Sequence, residues 1–238
     1  MTKKKIWFLG LLIIMLSIIV YWFYFSTPTS FPTNEQLVEE LNRIFPKATA
    51  SIIQDTISID ERHVLVPFIS KKDDYGLSYW VWKNRKWQVA SIDTKGEPML
   101  WKLNGNDPSS FYFVWNIDPK DKLSSIHFYF IRRRGYRIAE GIERYYPRVQ
   151  MEKRISFQEK SYGSMQLPDD WITFMNAYLE VESATQSPER NLFFGWIPYD
   201  LTNQQIFPER SVNGSGYSEG NVDVEYVMIL NKGEIEIP

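Results

Sequence analysis

The chain has 238 residues, of which 44% are apolar, with a formal net charge of −2 and no cysteine. The balanced charge lacks the basic excess of a nucleic-acid binder, so no nucleic-acid partner is expected. The missing cysteine excludes a disulfide scaffold, a thiol nucleophile, a thiolate zinc site, an iron–sulfur cluster and a lipid-modified N-terminal cysteine.

Lys3, Lys4 and Lys5 precede an uncharged run from Ile6 to Phe25. A helix rising about 1.5 Å per residue needs about 20 apolar residues to cross a bilayer core. The run ends in Tyr21-Trp22-Phe23-Tyr24-Phe25, rings of the kind that gather at the headgroup level. The next basic residue is Arg43, so the positive-inside rule predicts a cytoplasmic N-terminus and an extracytoplasmic remainder. The expected organisation is a cytoplasmic tail (1–5), a transmembrane helix (6–25), a tether (26–32) and an extracytoplasmic domain (33–238), with a split into two lobes near 120 as the alternative. A cleaved signal peptide is the competing reading of the first segment, although such apolar regions are commonly about 7–15 residues long. A cysteine-free domain outside the membrane fits a bacterial surface better than an oxidising eukaryotic lumen.

Thr33 and Gln36 form a capping-box pattern, and Leu37, Leu41 and Ile44 follow at helical spacing until Pro46. From residue 48 the period becomes two. Ile53, Ile57 and Ile59 predict one strand, and Val64, Val66 and Phe68 another. Tyr75 to Trp82 and Trp87 to Ile92 flank the polar turn Lys83-Asn84-Arg85-Lys86. Further strands are expected over Met99 to Leu103, Phe111 to Trp115 and Ile126 to Ile131, separated by Gly- and Pro-containing turns. A half-solvated strand follows over 149–157, with Arg148, Gln150, Glu152 and Arg154 on its polar parity. Asp169 caps a second helix with Ile172, Met175 and Leu179 on its stripe, and strands are expected at Leu192 to Ile197 and Val222 to Leu230. The fold class is therefore α+β: antiparallel sheet or sheets with two packed amphipathic helices behind an N-terminal transmembrane helix.

The net charge conceals an asymmetry. Residues 1–168 hold 24 basic against 17 acidic side chains, and residues 169–238 hold 3 against 12. Arg132, Arg133, Arg134 and Arg137 open the densest basic stretch and are the candidate anion or partner patch, with the three consecutive arginines placed at a hairpin tip. The alternative is that these arginines pair with the acidic C-terminal third. Trp80, Trp82 and Trp87 are the candidate aromatic recognition surface, because Tyr79-Trp80-Val81-Trp82 cannot all face inward on a sheet covered on one side; the alternative is a sheet covered on both faces.

No residue set identifies a reaction. Only His63 and His127 exist, and Ser125 lies two strand positions from His127, about 6.5–7 Å, too far for a direct nucleophile–base bond. Asp169 with Asp170 reads as a helix start, and Glu180 with Glu182 lie about 200° apart around a helix. The Gly214–Gly220 loop precedes a strand, not a helix, and so lacks the geometry of a phosphate loop. No cofactor and no metal are expected. The expected function is a non-catalytic, single-pass membrane-anchored binding or interaction module at a bacterial cell surface, with an envelope polymer or a membrane protein as partner. The alternatives are a hydrolase of an envelope polymer using paired carboxylates, and an accessory subunit of a membrane assembly.

Overall fold

The computed structural model describes residues 3–24, 27–139, 141–183, 192–219 and 222–236. In chain order the elements are α1 (Lys3–Tyr24), α2 (Asn34–Ile44), β1 (Ala50–Ile53), β2 (Ile57–Ser58), β3 (His63–Ser70), β4 (Tyr75–Lys83), β5 (Lys86–Asp93), β6 (Met99–Lys102), β7 (Phe111–Asn116) and β8 (Leu123–Arg132). They continue as β9 (Gly135–Ala139), β10 (Ile142–Tyr146), β11 (Val149–Ser156), β12 (Tyr162–Gln166), α3 (Asp169–Ser183), β13 (Leu192–Asp200), α4 (Glu209–Val212), β14 (Gly216–Ser218), β15 (Asp223–Tyr226) and β16 (Met228–Ile229). The fold is mixed α+β, dominated by antiparallel sheets with few helices.

Helix α1 is 22 residues long, and its Trp7, Phe8 and Leu11 side chains are exposed. Among the described residues no helix is long and apolar enough to cross a membrane. The side chains at 3–6, 9, 19, 20 and 22–24 lie outside the description. The expected transmembrane span over 6–25 is therefore not supported by the structure, which shows a continuous helix to Tyr24, with Phe25 outside the described residues. Helix α2 begins as expected: the Thr33 hydroxyl accepts from the Gln36 N–H, and the Thr33 N–H donates to Gln36 Oε1. Pro46 then opens a single 3₁₀ turn in place of a further α turn.

The first sheet runs β1-β3-β4-β5-β14, with β2 also on β3. The second runs β12-β7-β6-β15 and the third β11-β8-β13-β16; β9 and β10 form a separate two-stranded ribbon. The three sheets stack. Leu37 and Leu41 of α2 pack on Val66, Phe68, Trp80 and Ile92 of the first sheet. Its opposite face, with Leu65, Leu77 and Tyr79, meets Trp101 and Val114 of the second. The far face of the second sheet, with Leu100, Phe113 and Trp115, meets Ile126, Phe128 and Phe130 of the third, and Trp171 and Met175 of α3 join this layer.

This stacking decides the fate of the tryptophans. The first sheet is covered on both faces, so Tyr79 and Trp80, adjacent and oppositely directed, are both about 1% exposed. Trp80 and Trp82 are core residues, and half-buried Trp87 packs edge-on against Trp82 and against Phe31 of the tether. The expected aromatic recognition surface is corrected: these rings hold layers together. The tether is likewise docked from Thr29 onward, whose carbonyl accepts from Trp87 Nε1 at 3.0 Å.

The arginine run is also placed differently. Gly135, expected to turn the chain, is extended and pairs with Tyr146; the turn comes at Gly141, whose φ of +76° lies in the left-handed region that favours glycine. Arg132, Arg133 and Arg134 therefore mark the base of the β9–β10 ribbon, not a tip.

The ends of the stack follow from its contacts. Asn116 Nδ2 donates to the carbonyls of Gly76 (2.8 Å) and Phe68 (3.3 Å), which brings the end of β7 to the start of β4. At the other end of these sheets His63 packs on Trp101, ring centroids 5.6 Å apart. The short connection after Asn116 starts β8 at the Asn116 end, so β8 finishes at Arg132 near the opposite end.

Asp93 shares a face with Leu77, turned toward the second sheet. Burial pushes its carboxyl up to about 6, against the Lys95 N–H and ammonium, which lower it. The unfolded value is about 3.9, so this group's stabilising contribution is complete below about pH 4 and is lost as pH rises through about 6. Asp93→Asn, whose side-chain oxygen can still accept from Lys95, is expected to raise the urea midpoint near pH 8 by the equivalent of roughly 1–3 kcal/mol and to change it little near pH 4. An equal gain at both pH values would trace the effect to something other than ionisation.

Candidate functional site

Among the described residues neither a second sheet nor a long helix covers the outer face of the third sheet. Its apolar part is Tyr129, Ile131, Ile197, Tyr199 and Leu230. Gly195 in β13 admits Leu230, since a Cβ there would collide with the leucine side chain. Around this floor, β8, β11, β13 and the C-terminal segment enclose an open recess of about 750 Å³.

Register assembles its polar wall. Arg154 lies opposite His127, and Glu152 opposite Tyr129, so all four share a face. His127 Nδ1 lies 2.8 Å from Glu152 Oε1, and Arg154 Nε donates to the same oxygen at 2.6 Å. The Tyr129 hydroxyl bonds with Glu152 and Tyr199. The His127 and Tyr199 rings are 4.3 Å apart, and Lys232 Nζ stands 5.4 Å from the centre of the Tyr199 ring. At the other end, Arg148 Nη2 donates to Gln150 Oε1 (2.9 Å) and to the Glu234 carbonyl (2.5 Å), while Gln150 exchanges two hydrogen bonds with the backbone of Glu236.

The ionisation states follow from this packing. Burial lowers the His127 pKa, helped by the Arg154 charge and opposed by Glu152. Burial pushes Glu152 up, but Arg154 and His127 outweigh it, and the carboxyl is held below the usual range. Burial, with Glu152 and Tyr199 behind it, raises the Tyr129 phenol well above its ordinary value. Near neutral pH the recess therefore holds a paired carboxylate and guanidinium, an uncharged imidazole and the uncharged Tyr129 phenol, with Arg148, Lys232 and Glu236 also lining it. Ionised Glu152 is poorly suited to donate a proton, and the His127 nitrogen facing it is already occupied. Among the described residues no group of three or more histidines or carboxylates is placed to hold a metal ion.

The candidate arginines do not converge on one ligand. Arg132 donates to the Pro147 carbonyl (3.1 and 3.0 Å) and covers the Phe174 ring, whereas Arg133 covers Phe193. Arg134 is exposed; the backbone of Arg137 pairs with Arg144, and its side chain lies outside the described residues. The charge asymmetry is settled only in part within the molecule: Lys102 pairs with Glu225 and Arg148 with Glu236, but Lys120 pairs with Asp73 and Lys160 with Asp55, inside the basic portion. Asp169 and Asp170 occupy the first turn of α3, and the Glu180 and Glu182 side chains lie outside the described residues. His63 is held by Asp60 at 2.8 Å, away from the recess. Sequence reasoning missed the recess, although the polar parity Gln150, Glu152, Arg154 was its visible trace.

The interplay at His127 is measurable by imidazole NMR titration. Glu152→Gln is expected to lower the His127 pKa further, and Arg154→Gln to raise it; shifts in the same direction would contradict this network. No protein-family model, curated protein or solved structure matches the chain.

Proposed function

We propose that this protein is a non-catalytic binding module held at a bacterial cell membrane by α1, with its sheet stack outside the cytoplasm, and that the recess on the third sheet seats a hydroxyl-rich envelope polymer. The observation that carries the ligand class is the Arg154–Glu152 pair in the recess wall. An ionic ligand must compete with the Arg154–Glu152 pair, whereas a sugar hydroxyl donates to the carboxylate and accepts from the guanidinium at once. Tyr199 and His127 add ring surface, and Gln150 and Asn203 add amide groups, the mixture of apolar floor and few polar groups that small-ligand sites use. The location rests on the three lysines before an uncharged run of bilayer-spanning length, the absence of cysteine, and the exposed apolar side chains of α1.

Two measurements test this reading. Full-length protein in detergent micelles is expected to be retained on peptidoglycan sacculi stripped of anionic polymers, with little loss at high salt. Arg154→Met, at a largely exposed side chain, removes a charge-assisted bond of about 1.5–3 kcal/mol and is expected to weaken retention about ten-fold or more. Equal retention of the variant, or release of soluble fragments from the sacculi, would overturn the assignment. Protease treatment of intact cells is expected to digest the chain after Phe25; digestion only after lysis would reverse the orientation.

A further inference from the structure

The β9–β10 ribbon is bonded to no other sheet. Tyr136 pairs with Tyr145, and Ile138 with Glu143, so these four share one face. Tyr136, Ile138 and Tyr145 are each about 60% exposed, an apolar face with no cover among the described residues. The Tyr136 hydroxyl bonds to Glu143, which engages that acid within the ribbon. Residues 132–146 carry five arginines against two glutamates.

We propose that this ribbon docks onto the anionic lipid surface of the membrane in which the protein is anchored, with Tyr136, Ile138 and Tyr145 at headgroup depth and the arginines at its base facing lipid phosphates. The inference rests on the membrane anchoring proposed above. Three observations select lipid as the occupant. Tyrosine and isoleucine beside arginine is the composition of an interfacial segment. A second copy paired in parallel through this face would bring the arginine-rich bases together and suffer like-charge repulsion.

The third observation is position. Strand β8 runs from the Asn116 end of the stack to Arg132, so the ribbon leaves from the end where the β4–β5 hairpin turns. Thr29 and Phe31 dock on Trp87 beside that same hairpin, so the chain leading back to α1 departs there too. The five steps from Tyr24 to Thr29 span at most about 3.3–3.6 Å each, which holds this end within roughly 17–18 Å of the helix. Strands of five residues at about 3.3 Å each give the ribbon a matching reach of roughly 17 Å.

The absence of cysteine makes single-site labelling direct. Ile138→Cys, Ile13→Cys and Leu201→Cys full-length variants, each spin-labelled, would be placed in nanodiscs of phosphatidylcholine alone or mixed with phosphatidylglycerol. In the anionic discs the label at 138 is expected to favour oxygen over a water-soluble nickel chelate several-fold more than the label at 201. That preference is expected to fall in plain phosphatidylcholine and on adding Arg133→Ser with Arg134→Ser. A label at 138 that behaves like the one at 201 while 13 reports lipid overturns the ribbon proposal alone; an aqueous label at 13 overturns the anchoring with it. A short dipolar distance between labels at 138 on two copies, lost on dilution with unlabelled protein, would assign the ribbon to self-association and overturn lipid docking.

Discussion

Phe113 and Val114 are consecutive in β7, point to opposite sides, and are both completely buried. A strand with two dry faces requires a covering layer on each, and the rest of the molecule answers that requirement. Val114 meets the first sheet through Leu65, Leu77 and Tyr79, and Phe113 stacks on Phe128 of the third with ring centroids 4.3 Å apart. Covering both faces of the middle sheet leaves two outer faces to manage. Helix α2 closes one. The other has, among the described residues, the C-terminal segment along one side, and this asymmetry creates the recess.

The polar groups inside the stack are few, and Tyr79 Oη, Trp115 Nε1 and Asn116 Oδ1 have no hydrogen-bond partner among the described residues, so the bonds that are made fix its geometry. Asn116, with no exposure, donates from its amide to Gln54, Phe68 and Gly76, and so ties β7 to the first sheet at one end. Asp118 and Asp121 extend the tie to the C-terminal part: Arg210 pairs with Asp118, and Asp121 accepts from the Ser211 N–H and hydroxyl. These bonds matter less for net stability than for register, because an unmade bond at a buried group costs more than a made one contributes. Register then does chemical work. A one-residue slip of β11 against β8 would turn Glu152 and Arg154 toward Phe128 and Phe130, abolishing the recess and burying unpaired charge.

The two proposed surfaces use different consequences of the same architecture. The recess depends on side chains from β8, β11 and β13 held rigid by ladder hydrogen bonds. The ribbon depends on the chain continuing from β8 into β9 and from β10 into β11 past the end of the third sheet, where no neighbour among the described residues buries Tyr136, Ile138 and Tyr145.

Much of the local structure was legible in the chain. The Thr33–Gln36 capping box, the β4–β5 hairpin with its Lys83–Lys86 turn, the Asp169 helix start and the alternation in β8 and β11 depend on neighbours a few residues apart, so their signals are local. The arginine run misled because Gly135 offered a nearer turn than Gly141, and only the φ each glycine adopts distinguishes them. The tryptophans misled because alternation states which residues share a face, not how many layers lie against it. Trp80 reads as a candidate for exposure until α2 covers its face. His127, Glu152, Tyr199 and Lys232 come from four segments spread over a hundred residues, and no local period links them. What the sequence by itself determined was the α+β class and the local elements named above; the tertiary structure alone decided which faces became core, recess or free ribbon, because burial is a property of the partner layer and not of the strand.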